Sequence, residues 1–272
     1  MTFIVYAKED PASYNTATVI RNVLGFEEAD RIKGMLHWQH DKLDMLELGM
    51  EPFGGEHNPA LNAGFLGNLL NTELIIFLSK HSSVTGTRSF TVHAEGNWSV
   101  DNKLGGEPKQ LSVAAPVTML SVLTELSKLN VSDVEVTYEA THHGPLLKTP
   151  SLFVELGGNE DTIKDAGLAK MLAMAVVDAL EKSNQSYKNV AFGIGGLHYS
   201  RKFTQSALNG EYAFAHIIPK YCVKEVDMLD QAFERSNIKP EVAVIEWKSV
   251  NSLDRTRIIN KLNEMGIEYA RI

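Results

Sequence analysis

Six of the nine histidines, His81, His93, His142, His143, His198 and His216, stand at or just past the end of a short apolar run, in the phrases SKHSS, TVHAEGN, THHGP, GGLHY and AHIIPK. Imidazole changes charge near neutral pH and ligates metals when neutral, so its repeated placement at strand ends points to proton transfer or metal chemistry. In an open α/β sheet, ligands bind in the crevice beyond the carboxyl ends of the strands. These phrases are therefore predicted to converge on one pocket.

The run Val134 to Tyr138 reads as a strand, followed by Glu139, Ala140, Thr141, His142, His143, Gly144 and Pro145. Adjacent histidines on a regular strand face opposite ways, so both reach one pocket only if the backbone is already turning, as Gly144 and Pro145 favour. In the phrase from Phe192 to Tyr199, Gly195 and Gly196 permit positive φ or close approach, and free amides there could hold an anion or an oxyanion. The spacing matches neither the dinucleotide nor the phosphate-loop fingerprint. His198 and Tyr199 read as an acid/base or binding pair, with a plain strand-to-helix turn as the alternative. Serines flank His81, but no GxSxG elbow is present, and serines after a strand more often cap a turn. His216, inside Phe214 to Ile218, reads as a hydrogen-bonded core residue. Neutral imidazoles with Glu95, Glu139 or Glu155 could form a zinc site with an open position for water. With no HExxH and no HxH, its ligands must come from different strands.

The elements that would carry these residues alternate. Strands are predicted at Thr2 to Ala7, Met35 to Trp38, Leu43 to Leu48, Leu74 to Leu78, Phe90 to His93, Val134 to Tyr138, Leu152 to Leu156, Val190 to Ile194, Tyr212 to Ile218, Val242 to Ile245 and Ile267 to Ala270. Helices are predicted at Tyr14 to Leu24, started by Asp10, Pro11 and Ser13, and at Val117 to Leu129, Thr162 to Leu180, Phe203 to Leu208, Leu229 to Arg235 and Leu253 to Met265. In Thr162 to Leu180, Met171 and Met174 read as part of a buried packing face. The pattern predicts a three-layer α/β/α fold with a mixed, largely parallel sheet, in one catalytic domain over residues 1–272. Turn formers between 51 and 67 mark an irregular cover segment.

Hydrophobic residues make up 44% and charged residues 22%, the balance of a globular chain. A net charge of −8 argues against broad non-specific binding to nucleic-acid backbone, and against DNA as a partner, while leaving room for a local basic rim. Lys148, Arg201, Lys202, Lys220 and Lys224 follow three of the histidine phrases. Cys222 is the single cysteine; it excludes an intrachain disulfide and, among Ile217, Ile218, Tyr221 and Val223, reads as a small buried hydrophobe. No run of membrane-spanning length and no leader is visible, so a cytoplasmic monomer is expected.

Taken together, SKHSS, HAEGN, THHGP, FVELGG and GGLHY, in this order over most of the chain, resemble the archaeal and plant type of D-aminoacyl-tRNA deacylase. The resemblance implies hydrolysis of the ester joining a D-amino acid to the 3′ end of tRNA, an association with zinc, and a phosphorylase/hydrolase-like core. Carried onto this chain, it implies a pocket of His81, His93, Glu95, His142, His143 and His198, with Glu139 and Glu155 as further ligand candidates. An aminoacyl ester is already activated, so its hydrolysis needs a positioned water, a base or metal, and oxyanion donors. On that reading His142 and His143 bind zinc or act as base. Gly195, Gly196, His198 and Tyr199 shape the oxyanion and 3′-adenosine region, and Lys148, Arg201, Lys202 and Lys220 form the basic rim. The alternatives are another metal-assisted hydrolase or phosphorylase, such as a zinc peptidase or nucleoside phosphorylase, and a non-catalytic RNA-binding module, which the 8% aromatic content disfavours.

Overall fold

The computed structural model describes residues 1–49, 58–82, 86–182 and 186–272. Its strands are β1 (Thr2–Ala7), β2 (Glu27–Ile32), β3 (Met35–His40), β4 (Leu43–Leu48), β5 (Leu74–Ser82), β6 (Ser89–His93), β7 (Val113–Ala114), β8 (Glu135–Tyr138), β9 (Pro150–Gly158), β10 (Asn189–Ile194), β11 (Tyr212–Ile218), β12 (Val242–Ile245) and β13 (Glu268–Arg271). Its helices are α1 (Pro11–Leu24), α2 (Leu66–Leu69), α3 (Pro116–Lys128), α4 (Glu160–Ile163), α5 (Ala166–Glu181), α6 (Arg201–Leu208), α7 (Leu229–Glu234) and α8 (Ser252–Met265).

Among the described residues the strands form two sheets. The larger runs β2-β3-β4-β1-β5-β9-β6-β8, with β7 beside β9; the smaller runs β11-β10-β12-β13. In the large sheet β4, β1, β5 and β9 are parallel, as are β6 and β8, whereas β2-β3-β4 and β6-β9 are antiparallel. The small sheet is wholly parallel. The predicted mixed, largely parallel α/β class therefore holds, although the expected single sheet is divided.

Burial follows strand parity. In β12, Ala243 and Ile245 face the core under α7 and α8, with Leu229, Ile258 and Leu262, while Val244 faces the core shared with Phe203 and Phe214. Helices α3 and α6 pack against β11 from that side, and α7 and α8 cover the other, which makes the three layers. In the large sheet, Ile4, Tyr6, Ile76 and Leu78 face the main core, onto which α1, α3 and α5 pack. Phe3, Val5, Ile75, Phe77 and Phe153 face the other way, under a 3₁₀ turn at Pro59–Phe65 and α2. That turn and the start of α2 are what the described part of the 51–67 cover segment contains; 51–57 lie outside the described residues.

The helix expected from Thr162 to Leu180 is broken at Lys164 and Asp165, because Asp165 accepts from Gly167 N–H and Leu168 N–H and starts α5 afresh. Met171 is exposed, so the packing face is Leu168, Leu172, Ala173, Val176 and Ala179 instead. No helix among the described residues is long and apolar enough to cross a membrane.

The two sheets meet just past β8. Glu139 N–H donates to Val92 O, Ala140 N–H to His198 O (2.8 Å) and Thr141 N–H to Ile217 O (2.9 Å), while Ser200 N–H donates back to Tyr138 O (2.9 Å). Residues 139–141 thus tie β6 of the large sheet to β11 of the small one and to the loop that follows β10.

Candidate catalytic and metal centre

Strand order places three groups of the site on one face of the large sheet. β9 lies between β5 and β6; His81 is paired with Gly157, Thr91 with Glu155, and His93 with Phe153. With a side-chain period of two, His81, Glu155 and Phe153 share the face beneath the Pro59–Phe65 turn. His81 lies inside β5, not past its end, because β5 continues to Ser82. The segment after β8 brings Glu139, His142 and His143, and the loop after β10 brings His198.

His143 has φ +46°, so the chain turns at this residue and both neighbouring imidazoles reach one side, their ring centroids 4.3 Å apart. Glu139 is the hub. Its Oε1 is 3.0 Å from His81 Nδ1, and its Oε2 is 3.0 Å from His198 Nε2 and 3.5 Å from His142 Nε2. Glu155 Oε2 lies 3.4 Å from His81 Nδ1 and 3.5 Å from His93 Nε2.

Three of the imidazoles are oriented by backbone. The Nδ1–H groups of His93, His142 and His143 donate to Ala94 O (3.1 Å), Ala140 O (2.8 Å) and Gly144 O respectively. That tautomer leaves Nε2 of neutral His142 and His143 as a lone pair, the arrangement that metal-binding imidazoles adopt. At His93 burial is outweighed by Glu155, which raises the imidazole above its ordinary range until a metal takes the place of its Nε2 proton. Ligand atoms of His93, His142 and His143, of His81, Glu139 and His198, and of His93, Glu139 and Glu155 form three overlapping groups, each with its atoms within 4.8 Å of one another. Buried His93 Nε2 and both Glu139 oxygens have close neighbours but no aligned hydrogen bond. Leaving buried polar atoms so costs roughly 1–3 kcal/mol each, and nitrogen and oxygen donors gathered this way suit a divalent transition metal.

Protonation divides the cluster. Burial, reinforced by His93, drives His142 well below the usual imidazole range and His143 to about 4, so both are neutral. At His81 burial acts the same way but is outweighed by Glu139 and Glu155, which raise it to about 10. Burial would raise both carboxyls, yet His198 and His81 hold Glu139 well below its ordinary value, and His81 and His93 hold Glu155 at about 2. Glu95 belongs to none of the three groups. It is fully buried, accepts from Ser151 Oγ (3.2 Å), and burial raises it to about 7, although the charge of His93 reaches it and acts to lower it.

Two cavities open on the cluster. One, of about 440 Å³, is lined by Asn58, Leu61, Ser79, Lys80, His81, Leu104, His142, His143, Glu155 and His198. The other, of about 240 Å³, shares Leu104, His142 and His143 and is walled by Trp98, Asp101, Lys103, Thr141, Pro219, Tyr221 and Cys222 among others. Asn58, Lys80, Lys103, Leu104 and Tyr221 escaped the sequence reading. Asn58 alone carried a signal, an Asn-Pro step that caps the following turn through Ala60 N–H.

The oxyanion role expected of Gly195 and Gly196 meets an obstacle, because their amides are taken: Gly195 N–H donates to Ile218 O (2.8 Å) and Gly196 N–H to Ser249 Oγ (2.8 Å). Their positive φ values, +103° and +79°, serve a tight turn against Ser249 and Glu246. The expected basic rim is also displaced. Arg201 is paired bidentately with Glu135, Lys202 lies 3.5 Å from Glu246, and Lys148, Lys220 and Lys224, though exposed, line neither cavity. The lysines that do are Lys80 and Lys103. Tyr199 packs its ring 5.5 Å from His81, and its hydroxyl meets Ser89 Oγ (3.0 Å). His216 is fully buried, as expected, between Thr141 Oγ1 and the carbonyls of Ser112 and Arg235.

A family model described as D-aminoacyl-tRNA deacylase matches residues 69–270. A D-aminoacyl-tRNA deacylase of Ignicoccus hospitalis is 40% identical over 203 residues, covering 74% of this chain and 82% of its own. That of Pyrococcus abyssi is 32% identical over 275 residues, with both chains covered in full. A crystal structure described as a conserved protein of unknown function superposes with a TM-score of 0.87 at 29% identity, spanning 100% of this chain and 95% of the other.

Proposed function

The chain belongs to the D-aminoacyl-tRNA deacylase family, and from that premise we propose that its imidazole–carboxylate cluster is the centre that hydrolyses the ester of D-aminoacyl-tRNA. The reaction releases free tRNA and a D-amino acid. The observation that carries the assignment is the clustering of seven imidazoles and carboxylates from both sheets: His81, His142, His143, Glu155 and His198 line one cavity of about 440 Å³, and His93 and Glu139 are buried against them.

His93, His142 and His143 would hold a zinc ion through their Nε2 lone pairs, with Glu139 and Glu155 as the carboxylates of the same region. Bound there, zinc supplies Lewis acidity toward a water or an ester carbonyl. His198 and Glu139 move the proton. With Nε2 3.0 Å from Glu139 Oε2, His198 keeps Nδ1 as the base that takes the proton of the attacking water. Protonated His81, fixed between Glu139 and Glu155, keeps positive charge beside the developing oxyanion, the role that the Gly195 and Gly196 amides cannot fill. Leu61 and Leu104 wall the cavity and exclude bulk water. The substrate exists where translation runs, and the cytosol is the compartment we assign to the reaction.

The test incubates purified protein with D- and L-tyrosyl-tRNA, before and after chelator treatment, and then with zinc restored. D-selective release that chelator abolishes and zinc restores is expected. Chelator-insensitive release would keep the substrate and discard the metal; release without preference for the D-form would overturn the assignment.

A further inference from the structure

At the carboxyl edge of the small sheet, Ile218, Ile194, Ile245 and Arg271 stand side by side in register across β11, β10, β12 and β13. Beyond Ile194 the chain leads to His198, and beyond Ile218 to Pro219, Tyr221 and Cys222 of the smaller cavity. Beyond Ile245 it leads to Trp247. The guanidinium of Arg271 lies 3.8 Å from the Trp247 ring centroid and that of Arg255, on α8, 4.7 Å from it.

The arginines hold their planar groups against one indole. A guanidinium held over an aromatic ring by cation–π attraction still has N–H donors to offer, and such donors can grip phosphate in a bidentate fashion. Arg255 spends one donor on Trp247 O (2.9 Å) and Arg271 one on Tyr269 Oη (3.3 Å). Among the described residues, neither has a carboxylate within 4.0 Å, in contrast to Arg201 with Glu135 and Arg257 with Asp254. Lys248 is exposed next to them. The acids next to them in sequence have partners of their own: Glu246 faces Lys202, and Asp254 faces Arg257 and Asn251; the main-chain oxygen of Ile272 accepts from Trp247 N–H (3.1 Å). In a chain of net charge −8, such a group of unpaired cations is out of keeping with its surroundings.

Position ties the group to the site. Trp247 and Tyr269 pack on the same apolar cluster as Trp98 and Cys222, two walls of the smaller cavity, so both lie on the α7–α8 side of the small sheet. Arg271 is two strands from Ile194, about 10 Å at the usual strand spacing. We infer that Trp247, Arg255 and Arg271, with Lys248, form a phosphate-binding surface for the acceptor arm of the tRNA whose 3′ end enters the cavity. This rests on the function proposed above and adds where the body of the RNA is held.

The test uses the intact metal-loaded enzyme and two substrates, D-tyrosyl-tRNA and a D-tyrosyl-CCA trinucleotide too short to reach the surface. Arg255→Glu and Arg271→Glu should each raise KM for the tRNA by about tenfold, the scale of one charged hydrogen bond, with kcat unchanged. The salt dependence of log kcat/KM should flatten by about 1 for each contact removed. Trinucleotide kinetics should stay within about twofold of wild type, which also establishes that the variants fold. Unchanged KM and salt slope on tRNA, or equal losses on both substrates, would overturn the surface. A wild-type enzyme that hydrolyses neither substrate would instead overturn the function on which it rests.

Discussion

Replacing Glu139 with Gln removes one negative charge at constant shape from the point where three imidazoles meet. His81 and His198 each lose an anionic partner at 3.0 Å and His142 one at 3.5 Å. If Glu139 orients His198 and helps keep His81 charged, kcat should fall by about 10²–10⁴, or roughly 3–5 kcal/mol of transition-state stabilisation. Glu155→Gln, with two contacts at 3.4 and 3.5 Å, should cost less, on the order of 10–100-fold. Glu95→Gln should stay within about threefold, because Glu95 lies outside the three groups and burial already shifts its carboxyl toward the neutral form that Gln imitates. The assay is single-turnover release of D-tyrosine from tRNA with enzyme in excess, with bound metal measured on the same samples and thermal melting as the fold control. Near-normal turnover in Glu139→Gln, or a loss in Glu95→Gln as large as its own, would refute the placement of Glu139 at the hub.

Two further outcomes concern the scaffold. Burial holds His216 at about 4, below its unfolded value near 6.5, so the neutral form contributes its full stability above pH 6.5, and that contribution is lost as pH falls toward 4, by up to about 3 kcal/mol. Denaturant unfolding between pH 4 and 8 should show this slope in wild type and a flatter one in His216→Gln; matching slopes would refute it. A Cβ on Gly144 would lie within 2.5 Å of Gly106 N, Leu61 O and Gly105 C, so Gly144→Ala should cost about 3 kcal/mol, or roughly 6–10 °C in Tm, and enlarge KM by moving Leu61 and Leu104. An unchanged melting temperature would show that those backbones yield freely.

What could be read from the sequence was whatever depends on local pattern. β11 and β12 match their predicted bounds, because apolar runs closed by turn residues mark buried parallel strands. β2 was missed because EEADRI is an edge strand with no apolar alternation to detect. The histidine phrases indicated a shared pocket, and Gly144 with Pro145 announced the turn that brings His142 and His143 to one side. Glu139 as hub was beyond reach, since its neighbours come from β5, the turn after β8 and the loop after β10, and pairing between strands sets those distances. The same holds for the amides of Gly195 and Gly196. Glycine spacing reveals a permissive backbone but not which acceptor its N–H has already found. The basic rim failed for a related reason: Arg201 and Lys202 read as free cations until the fold put Glu135 and Glu246 beside them.

The stitch at residues 139–141 has a consequence for how activity arises. His81, His93 and Glu155 ride on one sheet and His198 on the other, and their separation is fixed where the sheets join, by the hydrogen bonds of Ala140, Thr141 and Ser200 with His198, Ile217 and Tyr138 and by Tyr138 N–H to Thr204 Oγ1 (2.8 Å). A newly made chain in which either sheet has yet to close carries every one of these side chains and none of the distances that make them a cluster, so the proposed centre exists only in the fully assembled fold.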